Sequence, residues 1–283
     1  MLVGNGSTEL IHLLARSRLR KGFRASIFVP GFGEYAAACR LQEVEPYPIP
    51  PQEGRWFRWD MAGAANLIEE LRPNLTFLCN PNNPTGVYLD RQEVEAVAEA
   101  VGNDGLLVVD EAYSAFVDRP WDTRRLLAQG NVVLLRSMTK DHAIPGVRLG
   151  YMPAPRTVIE DVQRFQSSWS VNAPAQAAGM AALQEVEHIA EARRVVRASR
   201  AYLLAELQVL GLVCNYPSAN FLLVDVGNAA AVRLELLQRY RPCVRDCTSF
   251  GMPRHIRVGI RSLEESHRLV RAVKEVCARH GTR

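Results

Sequence analysis

The sequence predicts an α/β protein with a mostly parallel central sheet covered by helices, followed by a small C-terminal α+β domain. Apolar runs of strand length alternate with helical periodicity from residue 1 to about residue 185, the pattern of a parallel sheet with helices on both faces. A long charged, amphipathic helix is predicted next, from about Glu185 to Leu210. We therefore expect a large domain over residues 1–185, then a linking helix and a small domain over residues 186–283.

Each element of the large domain is predicted from a local signal. Its strands are continuous apolar runs that end in turn or polar residues, as expected for strands buried on both faces. Its helices follow from apolar residues spaced three and four apart, or from runs of small residues. Pro46–Gly54 carries four prolines and is predicted to be a surface connection. The predicted strands are Ala25–Pro30, Thr76–Cys79, Gly105–Val109 and Val132–Leu135, and the predicted helices include Ala36–Leu41, Asn66–Leu71, Arg91–Val101, Arg156–Gln166 and Ala175–Leu183.

The small domain is predicted from fewer elements. Two strands, Asn220–Val226 and His255–Arg261, alternate with two helices, Ala230–Tyr240 and Leu263–His280. Val244–Phe250, before the second strand, is predicted to be a short extended piece. In the second strand the period of two places Arg257 on the same face as Gly259 and Arg261. Arg257 could grip a carboxylate there with both arms of its guanidinium, or it could simply be exposed on an edge strand.

Composition limits the classes of function. The chain has 283 residues, is 48% hydrophobic and 23% charged, and carries a formal charge of +4, values typical of a soluble globular protein. Acidic residues are mixed with the arginines, so the densest basic stretch, Arg193–Arg200, is better explained as a solvated helix face than as a nucleic-acid site. Anionic small-molecule substrates fit this charge balance.

Cysteine usage and the N-terminal sequence bear on metal and compartment. Six cysteines are scattered along the chain, and Cys243 and Cys247 lack a second ligand pair, so we expect free thiols and no metal site. There is no signal-peptide pattern and no uninterrupted apolar run of about 18 residues. We therefore expect a cytoplasmic protein that does not interact with a membrane.

Lys140 is the first candidate for chemistry. Only three of the 34 basic residues are lysines, so this chain supplies simple positive charge as arginine. Lysine differs because it can lose its proton at accessible cost and attack a carbonyl. Ser137 and Thr139 precede Lys140 at the end of a predicted strand, and Arg148 follows, a plausible cradle for phosphate. The segment has the equipment to hold pyridoxal phosphate as a Schiff base, although taken alone it is better explained as a strand followed by a polar loop with an incidental lysine.

Polar residues follow two further strands at their carboxyl ends, where open α/β sheets bind ligands. Asp110 closes the apolar run Gly105–Val109, and a carboxylate there is costly to bury unless it meets a cation, such as a protonated pyridine nitrogen. Asn80–Gly86 is a proline-fixed turn that directs asparagine amides beyond its strand.

Two other segments could contact the same ligand. Phe32, between two glycines just past a strand, could lay its ring on a flat cofactor, although core packing is an alternative. Gly6, Ser7 and Thr8 open an amphipathic helix whose free N–H groups would attract an anion, although an ordinary helix cap would look the same.

Taken together, these motifs resemble the class I/II aminotransferases, pyridoxal-phosphate enzymes of fold type I. Within them the chain is most similar to the branch of histidinol-phosphate aminotransferase and threonine-phosphate decarboxylase. The resemblance covers nearly the whole chain. The matching motifs, in family order and spacing, are GNGSTEL at residues 4–10, NPNNPTG at 80–86, DEAY at 110–113, SMTK at 137–140 and RLGY at 148–151.

The resemblance implies a role for each matching residue around the cofactor ring. Lys140 would hold the aldehyde and relay the substrate proton, with Asp110 paired to the pyridinium nitrogen. Asn83 and Tyr113 would hydrogen-bond the phenolic oxygen, and Phe32 would stack on the ring.

The resemblance also implies the remaining contacts and partners. Arg257 would bind the substrate α-carboxylate, and the substrates would be a small amino acid and a keto acid. A homodimer is implied, because sites of this family lie at the subunit boundary. The residues implied for the cofactor phosphate are Gly6, Ser7, Thr8, Ser137, Thr139 and Arg148.

The reaction itself stays open between two classes. Transamination of a small amino acid or amine, carrying phosphate or imidazole, is the first expectation. Decarboxylation of threonine phosphate is the alternative, because Arg245–Cys247, Trp169–Asn172 and the second arginine of RVGIR, Arg261, are similar to that subgroup. The bond of Cα that stands perpendicular to the ring decides between them, and the motifs are the same for both.

One departure from the family concerns the N-terminus. Relatives carry some tens of residues before the GNGS turn, including contacts for a phosphorylated substrate and a tyrosine that reaches the partner's cofactor. We expect either a start placed too far downstream or a truly shortened protein. The second case leads to a third hypothesis, a homologue that binds the cofactor or a partner chain with little turnover.

Overall fold

The computed structural model describes residues 1–280, so the last three residues of the predicted small domain lie outside the described residues. In the first half of the chain, short strands and helices alternate, as the apolar periodicity predicts. These elements are β1 (Leu2–Asn5), α1 (Gly6–Arg18), β2 (Ala25–Phe28), α2 (Gly33–Arg40), β3 (Tyr47–Ile49), α3 (Met61–Leu71), β4 (Leu75–Cys79), α4 (Arg91–Val101) and β5 (Leu106–Asp110).

The second half continues the alternation and then changes character after a long helix of 24 residues, Val186–Val209. Short 3₁₀ turns at Ser114–Phe116 and Thr123–Gln129 lead from β5 to the next strand. The elements are β6 (Val132–Ser137), α5 (Met138–Asp141), β7 (Leu149–Met152), α6 (Arg156–Gln163), α7 (Ala173–Gln184), α8 (Val186–Val209), β8 (Val213–Cys214), β9 (Phe221–Asp225), α9 (Ala229–Glu235), β10 (Arg245–Asp246), β11 (His255–Gly259) and α10 (Leu263–His280).

The central sheet has the strand order β1-β7-β6-β5-β4-β2-β3 within the described residues. The strands from β3 to β6 are mutually parallel, and β7 runs antiparallel to both β6 and β1. The carboxyl ends of β4, β5 and β6 therefore lie side by side along one edge. The predicted α/β class with a mostly parallel sheet is confirmed.

Both faces of the sheet are buried, which explains why its strands are continuous apolar runs. Successive residues of β4 point to opposite faces. Phe77 belongs to a core cluster with α1, α2 and α6, and Leu78 belongs to the cluster on the other face with α3 and α4. This sandwich fixes the strand ends that carry the predicted site residues.

The small sheet has the order β10-β11-β9-β8 in the described part of the chain, and all its pairings are antiparallel. Its core face packs against α8, α9 and α10. β11 is an interior strand, paired with β10 on one side and β9 on the other, so the edge-strand alternative for Arg257 is wrong. The count of two strands is too low: β10 lies within the predicted extended piece Val244–Phe250, whereas β8, with two residues, is too short to show a period.

Other boundaries differ from the predictions for local reasons. β3 lies inside the proline-rich connection, where Pro48 is tolerated because β3 is an edge strand. α3 begins at Met61, five residues earlier than predicted. β11 ends at Gly259, so Arg261 lies beyond the strand and forms an ion pair with Glu265 at 3.0 Å. Within residues 1–280, no helix is both long and apolar enough to cross a membrane.

Candidate active site

Lys140 lies in the one-turn helix α5, directly after the carboxyl end of β6. Its Nζ donates a hydrogen bond to Thr139 Oγ1 at 2.9 Å. Burial lowers the pKa of Lys140, and the positive charge of Arg148 lowers it further, whereas Asp110 acts in the opposite direction. The amine is therefore easier to deprotonate than an exposed lysine, which nucleophilic attack requires.

Asp110 ends β5, the strand next to β6, and its side chain is buried. The phenolic hydroxyl of Tyr35 donates to Asp110 Oδ2 at 2.7 Å, and the backbone N–H of Ala112 donates to Oδ1 at 3.0 Å. Burial raises the pKa of Asp110, while these two donors and the charge of Lys140 lower it. A further cation at this carboxylate would favour its charged form.

Asn83, Tyr113 and Arg257 come together from distant parts of the chain. The Arg257 guanidinium donates to Asn83 Oδ1 and lies over the ring of Phe221, 4.9 Å from its centroid. Tyr113 packs edge-on against the same ring at a centroid distance of 4.9 Å. Burial raises the pKa of Tyr113 to about 12, although Arg257 acts in the opposite direction, so the phenol is protonated and can donate at neutral pH.

The GNGS turn and the Ser-Met-Thr-Lys segment are brought together by three neighbouring strands. Gly150 of β7 pairs with Ser137 of β6 on one side and with Gly4 of β1 on the other. A methyl group added at Gly150 would lie 2.5 Å from the backbone nitrogen of Ser7, so the first turn of α1 needs a glycine beside it. Ser137 and Thr139, both buried, share a hydrogen bond of 2.8 Å between their hydroxyls.

Arg148 lies beside the GNGS turn. Gly6, the first residue of α1, has φ +76°, and a methyl group there would lie 2.5 Å from Arg148 Nη2. The guanidinium therefore lies against the N-terminal end of α1, where Ser7 and Thr8 have free backbone N–H groups. The guanidinium of Arg148 and the N-terminal end of α1 are both positively polarised, so they repel each other. A dianion bound between them would be attracted by both.

Phe32 stands just before α2 and is partly buried against the core cluster beneath α1. Its ring meets Tyr35 edge-on at a centroid distance of 5.8 Å, and Tyr35 stacks on Phe77 at 4.9 Å. Phe32 is therefore linked through Tyr35 to the carboxylate of Asp110.

Two of the asparagines expected at the site bind elsewhere, and one residue of the site was not predicted. Asn80 exchanges two hydrogen bonds with the backbone of Leu89, and Asn82 donates to Pro30 O, so of the three asparagines only Asn83 meets Arg257. Tyr35 was missed by the sequence reasoning. A tyrosine three residues after Phe32 gives only a helical spacing, and nothing local indicates that its hydroxyl meets Asp110.

In residues 1–280, no group of three or more histidine, cysteine, aspartate or glutamate side chains is arranged to hold a metal. The chemistry available is that of a deprotonatable amine, a buried carboxylate and a cradle for an anion. Together with the sheet, these features fit a phosphorylated, planar carbonyl compound at the carboxyl edge of a parallel sheet.

Comparison with known proteins makes this class specific. Residues 1–273 match the model of the family "Aminotransferase class I and II". A histidinol-phosphate aminotransferase of Symbiobacterium thermophilum is 38% identical over 275 residues, which cover 96% of this chain and 75% of that protein. The chain therefore belongs to the class I and II aminotransferases, a family of pyridoxal-phosphate enzymes.

Solved structures show the same fold. The histidinol-phosphate aminotransferase of Sinorhizobium meliloti, solved in complex with pyridoxal 5′-phosphate, matches with a TM-score of 0.88 at 23% identity, over 98% of this chain and 76% of that one. The L-threonine-O-3-phosphate decarboxylase of Porphyromonas gingivalis matches with a TM-score of 0.80 at 26% identity, over 97% of this chain and 82% of that one.

The residues present fit pyridoxal phosphate. The guanidinium of Arg148 against the N-terminus of α1 provides the place for a phosphate. The buried carboxylate of Asp110 provides a partner for a protonated ring nitrogen. Lys140 provides an amine with a lowered pKa next to both groups. The chemistry of this donor set matches the phosphate, the ring nitrogen and the aldehyde of the cofactor.

Proposed function

We propose that this protein is a pyridoxal-phosphate-dependent aminotransferase acting on a small amino acid or amine that carries a phosphate, as histidinol phosphate does. The main support is the position of Lys140 and Asp110 at the ends of neighbouring strands, with Arg148 and the α1 N-terminus beside them. Histidinol-phosphate aminotransferases are the relatives with 31% to 38% identity.

Lys140 would hold the cofactor and move the substrate proton. When bound, pyridoxal phosphate supplies an aldehyde that accepts an amino group and a ring that withdraws electrons. The amine of Lys140 would act as the base that takes a proton from the substrate α-carbon, and its conjugate acid would then deliver that proton to complete the amino transfer. Its lowered pKa makes the neutral base easier to form than at an exposed lysine.

The other residues would orient the ring. Asp110, held by Tyr35 and the N–H of Ala112, would keep the ring nitrogen protonated. Asn83 and Tyr113 would reach the phenolic oxygen, and Phe32 would cover one ring face. The phosphate would be bound where Gly6 lies against Arg148 and where Ser137 and Thr139 share a hydrogen bond. The full set of residues is Gly6, Ser7, Thr8, Ser137, Thr139 and Arg148.

Arg257 and Arg245 would recognise the substrate. The two residues are direct partners in the register of β11 and β10, so their side chains share one face of the small sheet. Arg257 would grip a carboxylate or phosphate while still bound to Asn83. Arg245 is exposed, donates to Ser249 Oγ at 2.9 Å, and would reach a second anionic group. Two arginines on one face favour a substrate with two anionic groups or a dianion.

A lysine-specific adduct tests the proposal. After borohydride treatment in the presence of pyridoxal phosphate, the wild-type protein should gain the mass of one reduced cofactor on Lys140. Lys140→Ala should lose both this adduct and at least about a thousandfold of its activity. Lys274→Ala, which removes an exposed lysine of α10, is the matched control and should retain both. An adduct that persists in Lys140→Ala would contradict the proposal.

Decarboxylation is the second candidate function, supported by the 26% identity to a threonine-phosphate decarboxylase and by the paired arginines of β10 and β11. Incubation with histidinol phosphate, phosphothreonine and a panel of amino acids separates the two reactions. Carbon dioxide released without a keto acid would establish decarboxylation. Conversion of the cofactor to its amine form would establish transamination.

A homodimer would be formed through an apolar surface near Lys140. α7 and the start of α8 expose Met180, Leu183 and Val186, and Trp169 in the preceding loop is 96% exposed. α7 itself packs on Met138 and Leu149, residues of α5 and β7. A second copy covering this surface would bury the apolar side chains and approach the site. We also propose that the protein is located in the cytoplasm and that its substrates are small molecules.

A further inference from the structure

A second cavity, of about 450 Å³, lies between the loop that follows β3 and the outer face of the small sheet. No residue of this cavity takes part in the proposed catalysis. The side chains that define it are Gln52, Glu53, Trp56 and Phe57 from the loop, Asp225 from β9 and His255 from β11.

Aromatic rings form the walls of this cavity. Phe57 meets the ring of His255 edge-on at a centroid distance of 5.4 Å, and Trp56 meets Phe57 edge-on at 6.3 Å. Trp56 and Phe57 have φ values of +48° and +63°, a left-handed conformation that large side chains rarely adopt. The surrounding contacts therefore hold the backbone in a costly conformation that presents two consecutive rings.

The loop is held in place at both ends. The Gln52 N–H donates to Arg58 O at 2.8 Å, which closes the loop on itself. Arg58 forms an ion pair with Glu93 of α4 at 3.0 Å. The indole N–H of Trp59 donates to the carbonyl oxygen of Ile49 at 3.1 Å. The cavity wall is thus pre-organised, which lowers the entropic cost of binding a ligand.

The polar groups of the cavity are mainly hydrogen-bond acceptors. His255 Nδ1 is buried and has no hydrogen-bond partner among the described residues. Burial lowers the pKa of His255, so its ring is neutral near pH 7. Glu53 and Asp225 add two carboxylates, of which Asp225 is partly neutralised by Arg254 at 3.0 Å. The lining therefore carries the negative charge of Glu53 and a part of that of Asp225.

We propose that this cavity binds a small planar nitrogenous cation of the amidinium, imidazolium or guanidinium class. A flat cation uses both the aromatic rings and the carboxylates of the lining. Its charge is attracted by the aromatic faces and by Glu53 and Asp225, and its N–H groups can donate to the carboxylates. An anion would be repelled, and a neutral ligand would gain nothing from the charge of the carboxylates.

The position of the cavity gives the ligand a structural role. Phe57 belongs to a cluster with Leu223 and Cys247 on the outer face of the small sheet. His255 is two residues before Arg257 on β11, so both side chains lie on that face. A bound cation would link the β3 loop to the strand that carries Arg257. This inference does not depend on the proposed reaction.

Benzamidine is a suitable probe, and benzamide is its neutral isostere. With the cofactor-loaded protein, calorimetry should show one saturable site for benzamidine, and benzamide should bind at least about tenfold more weakly. The absorption spectrum of the bound cofactor should not change, because the catalytic site is not occupied. Equal affinity for both compounds, an altered cofactor spectrum or the absence of saturable binding would each overturn the proposal.

Two substitutions locate the site. Trp56→Ala should abolish benzamidine binding, and Glu53→Gln should weaken it by about threefold to tenfold. Glu69→Gln makes the same change of charge on the exposed face of α3 and should leave the affinity unchanged. Unfolding midpoints show that each variant is folded, and Glu53→Gln, an exposed residue, keeps the test valid if Trp56→Ala does not fold. Unchanged binding by Glu53→Gln and folded Trp56→Ala would contradict the inference.

Discussion

At Lys140, burial and a neighbouring arginine act on the same amine. Burial removes water that would stabilise the ammonium form, and Arg148 adds a repulsive positive charge, so both lower the pKa of Lys140. Asp110 acts in the opposite direction from the end of the next strand. The site therefore makes the neutral, nucleophilic form of Lys140 easier to reach while holding a carboxylate close by.

Replacing Arg148 tests this explanation. In cofactor-free Arg148→Gln, the pKa of Lys140 should rise, because a repulsive charge is removed and burial remains. Lys140 would then lose its proton at a higher pH than in the wild-type protein. With three lysines in the chain, NMR titration of ¹³C-methylated amines can follow each one. Arg156→Gln, at an exposed position of α6, is the control, and an unchanged Lys140 pKa in Arg148→Gln would refute the explanation.

Among the elements, the first turn of α1 depends on glycine for two separate reasons. Gly6 needs a left-handed backbone, and Gly150 allows β7 to approach the backbone of Ser7. Because β1, β7 and β6 are neighbours, this packing sets the helix N-terminus beside Ser137. A phosphate would then meet backbone N–H groups that are already aligned.

Gly6→Ala and Gly22→Ala form a matched pair. Both glycines have positive φ, +76° and +89°, so each alanine should cost about 1 kcal/mol of stability through backbone strain. Only at Gly6 would the new methyl group meet Arg148, at 2.5 Å, whereas nothing lies within 4 Å at Gly22. Gly6→Ala should therefore weaken pyridoxal-phosphate binding by about tenfold or more, corresponding to ~1.4 kcal/mol, and Gly22→Ala should not. Fluorescence titration and thermal unfolding measure the two effects, and equal affinities in the two variants would refute a role of Gly6 in the phosphate site.

For the whole molecule, contacts between the two sheets complete the site. Arg257 donates a hydrogen bond to Asn83. The turn that carries Asn83 also contacts the linker before β9, because Ser218 N donates to Gly86 O at 2.9 Å. A methyl group at Gly86 would lie 2.5 Å from Pro217 Cβ, so the turn and the linker are closely packed. We propose that residues 1–185 and 186–283 are the two domains of the protein, with the substrate bound between them.

The proposed dimer gives a prediction at the same scale. Leu183→Glu places a charge in the exposed apolar surface of α7 and should weaken self-association by about tenfold or more, because the carboxylate would have to be desolvated. Val209→Glu, at the exposed far end of α8, is the matched control and should have no effect. Sedimentation velocity over a range of concentrations measures the change. A wild-type protein that stays monomeric at all concentrations would refute the dimer.

The sequence alone determined the class of fold and the kind of chemistry. Buried strands are continuous apolar runs, and helices carry their own periodicity, so the α/β alternation, α4 and α8 could be predicted from local signals. Lys140, Asp110 and Arg148 follow strands or belong to family motifs, so they could be proposed as site residues without coordinates.

Only the tertiary structure decided which groups meet. The hydrogen bond from Tyr35 to Asp110 joins residues 75 positions apart, and that from Arg257 to Asn83 joins residues 174 apart. The two-residue strands β8 and β10 exist because β9 and β11 pair with them. Local sequence reports the preference of a segment for a conformation and for burial. Contacts between distant segments depend on how the layers pack, and no short stretch of sequence carries that information.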